Sequence, residues 1–143
     1  MSTIVLDSNV LLATVLPDEP LTQQAKTAVA AWVDTSTQII APRLFRAELV
    51  AVIRKAVYQK RISHTQGKGF LLLLLESPVT FVDDDELLLS AYELAAQFNL
   101  PRAYDAQYLA LAQRFDVPFW TADQRLFNSI SEEFGLIRWL GNF

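Results

Sequence analysis

Short apolar runs rich in β-branched residues recur along this chain, and longer segments with helically spaced apolar positions separate them. Runs of this length and composition predict strands, whereas the longer segments predict amphipathic helices. The predicted strands cover residues 3–6, 39–41, 79–82, 118–121 and 136–140.

The predicted helices fill the intervals between these strands. The first helical stretch, residues 9–35, is interrupted at Pro17 and Pro20, and a long helix begins with Pro42 in its first turn. The long helix and those that follow it cover residues 42–61, 65–76, 83–98, 104–115 and 124–131. Strands that alternate with helices predict an α/β fold with a mainly parallel sheet of about five strands, flanked by helices on both faces.

Composition narrows the class of protein. The chain has 143 residues, is 52% hydrophobic and contains four glycines, which predicts one well-packed domain over residues 1–143. It has no cysteine, so disulfides, thiolate nucleophiles and Cys-based zinc sites are excluded. The longest purely apolar run, residues 70–75, falls far short of the roughly 20 residues that a membrane helix needs. We expect a soluble, cytoplasmic protein with no membrane partner.

Charge is unevenly distributed. The net charge is −4, yet residues 43–68, here called the basic segment, contain seven bases and one acid. A local excess of positive charge in an acidic protein indicates a surface for a polyanion, although a solvated helix face would have the same composition.

Four acids are candidates for a functional site because of where they lie relative to the predicted strands and helices. Asp7 and Asp123 directly follow the first and fourth predicted strands, and the carboxyl ends of parallel strands are where such folds bind ligands. Asp105 lies in the first turn of a helix, and Glu48 lies about two turns into the long helix. Taken singly, each has an ordinary explanation as a helix cap, a first-turn acid or a surface ion-pair partner.

Taken together, the four acids predict a metal site. Carboxylates brought close to one another raise each other's pKa and oppose folding, unless a cation lies between them. Oxygen ligands alone favour Mg²⁺ or Mn²⁺ over zinc or copper.

The order and setting of these residues resemble a known family. An apolar strand followed by Asp7-Ser8-Asn9, a helical Glu48, the segment beginning Tyr104-Asp105-Ala106, and Thr121-Ala122-Asp123 are similar to the PIN domain, and more narrowly to the VapC-type ribonuclease toxins of toxin–antitoxin pairs. The resemblance covers nearly the whole chain.

This resemblance implies a three-layer α/β/α fold and a metal-dependent endoribonuclease that cuts RNA in single-stranded or loop regions. It implies an acidic catalytic and metal-binding site of Asp7, Glu48, Asp105 and Asp123, with Asn9 and Thr121 in support. The implied cofactor is Mg²⁺ or Mn²⁺, and the implied partners are RNA, a cognate antitoxin, and a second copy in a homodimer or a higher assembly with the antitoxin. Candidate RNA contacts in the basic segment are Arg43, Arg46, Arg54, Lys55 and Lys60.

Three other features of the sequence are candidates for sites or interfaces. The acid run 83–86 is typical of a helix start, with an acidic N-cap three residues before Glu86. His64 is the only histidine and lies in a polar loop. The helix carrying the apolar run 70–75 indicates either core or a subunit or antitoxin interface.

Three other functions stay open at this level. A haloacid-dehalogenase-type phosphatase would want a second aspartate where Asn9 stands. A receiver domain would need a lysine near residues 118–122, which contain none. A PIN fold that has lost catalysis and serves only in RNA binding or assembly would be expected to lack one of the acids.

Overall fold

The computed structural model describes residues 2–143 and contains a five-stranded sheet with seven α-helices. The strands are β1 (Thr3–Leu6), β2 (Gln38–Pro42), β3 (Val79–Val82), β4 (Phe119–Thr121) and β5 (Ile137–Trp139). The helices are α1 (Ser8–Val15), α2 (Thr22–Asp34), α3 (Leu44–Tyr58), α4 (His64–Leu75), α5 (Asp85–Gln97), α6 (Tyr104–Phe115) and α7 (Gln124–Ile130), followed by a 3₁₀ turn, Leu140–Asn142.

All neighbouring strands are parallel, in the order β3-β2-β1-β4-β5. The chain moves outward from β1 to β3 on one side and then continues with β4 on the other. The strand order therefore reverses between β1 and β4, and ligands in open α/β sheets bind at the carboxyl ends of strands flanking such a reversal.

The core lies on both faces of this sheet. Helices α1 to α4 pack on one another, while α5 and α6 pair and α6 packs against β1, β2 and β4. β1 is buried from Ile4 to Leu6, as expected for a central strand covered on both sides. The predicted three-layer α/β/α fold is confirmed.

The structure corrects the prediction at Pro42 and agrees with it at Pro17 and Pro20. Pro42 ends β2, where it pairs in register with Val82, and does not open the long helix, which begins at Leu44. At the end of a strand the missing N–H of proline removes little from the ladder. Pro17 and Pro20 separate α1 from α2 as predicted.

The apolar run 70–75 is interpreted from the sequence either as core or as an interface, and the structure buries only part of it. Leu74 is buried, and Phe70, Leu71 and Leu75 pack partly against the core, but Leu72 and Leu73 are about 60% exposed. Within residues 2–143 no helix combines the length and the apolar character needed to cross a membrane.

Two glycines in α4 offer a test of how α3 and α4 pack. A Cβ at Gly67 would lie 2.9 Å from Val57 Cγ2 and 3.1 Å from Ile53 Cγ2, both on stiff β-branched side chains, whereas a Cβ at Gly69 would meet nothing within 4 Å. We expect Gly67→Ala to lower the free energy of unfolding by about 1–3 kcal/mol through overpacking. Gly69→Ala should raise it by about 0.5–1 kcal/mol because alanine is the better helix former.

Urea unfolding of the two variants beside wild type checks this. Both substitutions add one methyl group to the same helix, so opposite signs isolate the contact with α3. Stabilisation by Gly67→Ala would contradict the close packing of these two helices.

Candidate functional site

Asp7 lies at the carboxyl end of β1, at the reversal of strand order. Its backbone N–H donates to the carbonyl of Trp120 across the β1–β4 junction, at 3.0 Å. Its side chain is 5% exposed and caps α1 by accepting from the N–H of Asn9 at 3.4 Å. Asp7 therefore does cap α1. Burying a carboxylate costs more free energy than one capping hydrogen bond returns, so capping alone does not explain this residue.

The Thr121 hydroxyl connects β4 to this carboxylate. Its oxygen accepts from Asn9 Nδ2 at 3.2 Å and from the N–H of Asp123 at 3.0 Å. Its single proton is donated to Asp7 Oδ2 at 2.9 Å. With both lone pairs and the proton engaged, Thr121 has one hydrogen-bonding arrangement, which keeps Asp7 Oδ2 an acceptor.

Asn9 completes this network. Besides donating to Thr121, its carbonyl oxygen accepts from the N–H of Ala122 at 2.9 Å. The side chain thereby ties the first turn of α1 to the end of β4, which supports the predicted holding role of Asn9 and Thr121 by contacts that the structure shows.

Glu48 projects from α3 toward the same place. Its Oε1 accepts from Ser8 Oγ at 3.2 Å and from the Tyr108 hydroxyl at 2.5 Å. Within residues 2–143 the four ion pairs involve other acids, so Glu48 does not form the surface ion pair that would be its ordinary explanation. Burial raises the pKa of Glu48, the hydrogen bonds from Tyr108 and Ser8 oppose that rise, and the charge of Asp105 adds to it.

Asp105 and Asp123 stand at the outer side of the site. Asp105 is half-buried in the first turn of α6, and its pKa is raised by burial and then by the charge of Asp123, with a smaller opposing effect from Arg102. Asp123 is exposed and caps α7 by accepting from the N–H of Leu126 at 3.1 Å.

The four acids thus form one electrostatic group. Burial, followed by the charge of Glu48 and to a lesser degree that of Asp105, raises the pKa of Asp7 from 3.8 to about 8, although the Thr121 hydrogen bond opposes the rise. A carboxyl group with this pKa is mostly protonated at neutral pH. The charges of Asp7, Glu48 and Asp105 affect one another, and Asp123 joins this group through its effect on Asp105.

These residues offer the right atoms for a hard cation, but they do not already enclose one. Among residues 2–143, no group of three or more acidic, His or Cys side chains is arranged to hold a metal ion as it stands. The donors are all oxygens, they are partly buried, and they oppose one another electrostatically. Mg²⁺ and Mn²⁺ match that donor set and retain several water ligands of their own.

The basic segment is partly neutralised within the fold. Arg43 pairs with Asp83 at 3.2 Å, and Arg61 pairs with Asp18. The Arg46 guanidinium lies 5.9 Å from the centre of the Phe81 ring. The predicted RNA contacts, Arg43, Arg46, Arg54, Lys55 and Lys60, are all exposed.

Three residues near the acids were not predicted as site residues. Ser8 and Tyr108 are buried and donate to Glu48, and Arg102 is close enough to lower the pKa of Asp105. Tyr108 lies one helical turn after Asp105, so helical spacing would have indicated it. Ser8 directly follows Asp7, and this adjacency in sequence was its only signal.

The acid run 83–86 is a helix start, as predicted, but the cap is Asp84 and not Asp83. Asp84 accepts from the N–H of Leu87 at 2.8 Å and from both terminal nitrogens of Arg114 at 2.9 Å. The bond from Arg114 and then that from Leu87 lower the pKa of Asp84 to about 2. His64 is the exposed first residue of α4, and Ser63 caps that helix.

Comparison with known proteins agrees with this geometry. The family model described as the PIN domain matches residues 4–133. Ribonuclease VapC12 of Mycobacterium tuberculosis (strain ATCC 25618 / H37Rv) is 33% identical over 109 residues, covering 76% of this chain and 81% of the relative. VapC ribonuclease Mb0985 of Mycobacterium bovis is 29% identical over 123 residues, covering 86% and 87%.

Solved structures show the same fold. A toxin–antitoxin complex from Klebsiella pneumoniae aligns with a TM-score of 0.66 at 17% identity, covering 96% of this chain and 97% of that one. VapC20 of M. tuberculosis, described as a sarcin-ricin loop cleaving toxin, aligns with a TM-score of 0.65 at 14% identity, covering 92% and 95%. The family match, the relatives and the fold agree, and the chain belongs to the PIN domain family.

Proposed function

We propose that this protein is a metal-dependent endoribonuclease whose site consists of Asp7, Glu48, Asp105 and Asp123. One observation carries the proposal. Asp7 is a buried carboxyl group beside two other acids at the reversal of strand order, and its pKa is raised to about 8. A divalent cation would relieve this repulsion, and the sequence relatives are named ribonucleases.

In this proposal the acids hold Mg²⁺ or Mn²⁺, and the hydrogen-bond network orients them. When bound, the cation lowers the pKa of a coordinated water and polarises the scissile phosphate. Thr121 keeps Asp7 Oδ2 an acceptor, Asn9 ties β4 to α1, and Asp105 and Asp123 face the open side from which a substrate would approach.

The proposed substrate is RNA, cut within the chain at single-stranded or loop regions, where bases are unstacked and the backbone is accessible. The names of the relatives and the exposed basic segment support this choice. Fold neighbours occur in toxin–antitoxin complexes, which supports a toxin role and a cognate antitoxin as partner. The proposal also takes the protein to act in the cytoplasm, as a homodimer or in a larger assembly with the antitoxin.

A circular RNA containing one stem and one loop tests the mode of cleavage. An endonuclease linearises the circle, and we expect the cut to fall in the loop while a perfect duplex of the same sequence stays intact. A circle that is resistant while its linear form is degraded from an end would contradict endonucleolytic cutting.

Lys55 is the candidate RNA contact that the geometry favours most. It follows Glu48 by seven residues, so it lies on the same face of α3, about 10 Å farther along the helix axis. We expect Lys55→Ala to raise KM several-fold with kcat little changed, and to reduce the slope of log KM against log salt by about 0.7, the value for one lost phosphate contact on a single strand.

Lys26→Ala is the matched control, since Lys26 is exposed on α2 outside the basic segment. It removes the same charge and should leave both KM and its salt dependence near wild type. Equal effects of the two substitutions would assign the change to net charge and would exclude a specific contact at Lys55.

A further inference from the structure

Tyr108 occupies the inner end of the site without being one of its acids. It lies on α6 one turn after Asp105 and is fully buried. Its ring stacks on Phe119 of β4, with ring centroids 5.3 Å apart and planes inclined by 13°. This stacking fixes the ring, and therefore the direction of its hydroxyl, by contacts that do not involve the acids.

The hydroxyl of this fixed ring donates to Glu48 Oε1. A buried tyrosine hydroxyl normally has a hydrogen-bond partner, so one interpretation is that Glu48 only satisfies Tyr108. The second donor argues against that interpretation. Ser8 is also buried, comes from a different helix, and donates to the same oxygen.

Two donors on one oxygen orient the whole carboxylate. Glu48 is a long side chain that loses considerable rotamer freedom when it is held in one position. Within residues 2–143 both hydrogen bonds to Glu48 reach Oε1, and none reaches Oε2. The arrangement therefore binds one oxygen to the protein and leaves the other available to a ligand.

We propose that Tyr108, together with Ser8, is a positioning residue that holds Glu48 Oε1 so that Oε2 faces the cation. The inference rests on the proposed function, because it assigns a role toward the same ion. Groups that hydrogen-bond to a metal ligand without touching the metal set the orientation of that ligand, and losing one typically weakens metal binding about 10–100-fold.

Tyr108→Phe removes the hydroxyl and keeps the stacked ring. Calorimetric titration of the RNA-free protein with Mn²⁺ is expected to show about 10-fold weaker binding than wild type. Ser8→Ala should weaken binding in the same direction. Tyr92→Phe is the control, since it removes the same atom from a side chain that is 69% exposed on α5.

A double-mutant cycle shows whether the hydroxyl acts through Glu48. In a Glu48→Gln background, Tyr108→Phe should cause little further loss of Mn²⁺ affinity. An equal loss in both backgrounds would overturn the inference, because Tyr108 would then act by another route.

Two further outcomes distinguish failure of the positioning role from failure of the proposed metal site. If wild type binds Mn²⁺ and both Tyr108→Phe and Ser8→Ala bind it equally well, the positioning role is wrong and the metal site stands. If wild type binds no Mn²⁺, the metal site itself is wrong. Thermal unfolding in EDTA identifies a variant that has lost its fold, and the other single variant then decides the question.

Discussion

Replacing Asp105 by Asn should reduce the rate of RNA cleavage about 100–1000-fold. This is the range typical for removing one group that stabilises charge at a reacting centre. The substitution keeps the shape of the side chain and removes its charge. Asp105 is half-buried, and within residues 2–143 its carboxylate makes no ion pair that the change would break. The fold should therefore survive while the ligand set loses an anionic donor.

The same helix provides the control for this experiment. Asp116 is exposed at the end of α6 with a left-handed backbone, φ 52°, which asparagine accepts readily. Asp116→Asn should cleave at the wild-type rate. Cleavage rates of the three proteins under saturating Mn²⁺ decide the matter, and wild-type activity in Asp105→Asn would remove that residue from the site.

The second large effect concerns stability without metal. The pKa of Asp7 is raised in the folded state to about 8, against 3.8 for the ordinary side chain. Below about pH 4 the Asp7 carboxyl group is protonated in both the folded and the unfolded state, so its contribution to the free energy of unfolding is at its maximum. As the pH rises toward 8, the unfolded chain releases the proton while the folded chain keeps it, so stability falls by up to about 1.4 kcal/mol per pH unit.

Asp7→Asn removes this dependence because the amide does not titrate. In EDTA, the variant should gain stability relative to wild type as the pH rises from about 4 to 8, reaching a difference on the order of several kcal/mol. Denaturant unfolding at a series of pH values measures it, and Asp34→Asn, at the exposed end of α2, controls for the change of carboxylate to amide.

Added Mn²⁺ should narrow this difference, because a ligand that binds only the folded state stabilises wild type and not the variant. A pH-independent difference between Asp7→Asn and wild type would contradict the electrostatic account of Asp7. A difference that Mn²⁺ leaves unchanged would contradict the assignment of Asp7 to a cation.

The sequence was sufficient to predict the parts of the site that depend on topology. Asp7 and Asp123 follow strands, and parallel strands end at one edge of the sheet, so their proximity follows from the order of elements. Glu48 could be placed because Leu44 and Val52, four residues on either side, are apolar and turn that face of α3 inward.

The contacts between side chains could not be predicted in the same way. Tyr108 reaches Glu48 across 60 positions of sequence, and Thr121 reaches Asp7 across 114. Such contacts depend on how helices pack and on which rotamers the packing permits, and neither can be deduced from local spacing. Pro42 was misplaced for a related reason, since proline suits both the end of a strand and the first turn of a helix.

The central claim is that these acids hold the cation that makes RNA cleavage possible. Protein stripped with EDTA, freed of any co-purifying partner and mixed with the looped RNA should be inert until Mg²⁺ or Mn²⁺ is added. Cleavage by wild type should then begin, and Asp105→Asn should cleave about 100–1000-fold more slowly in the same assay. Cleavage in EDTA, or cleavage by Asp105→Asn at the wild-type rate once metal is present, would contradict the account.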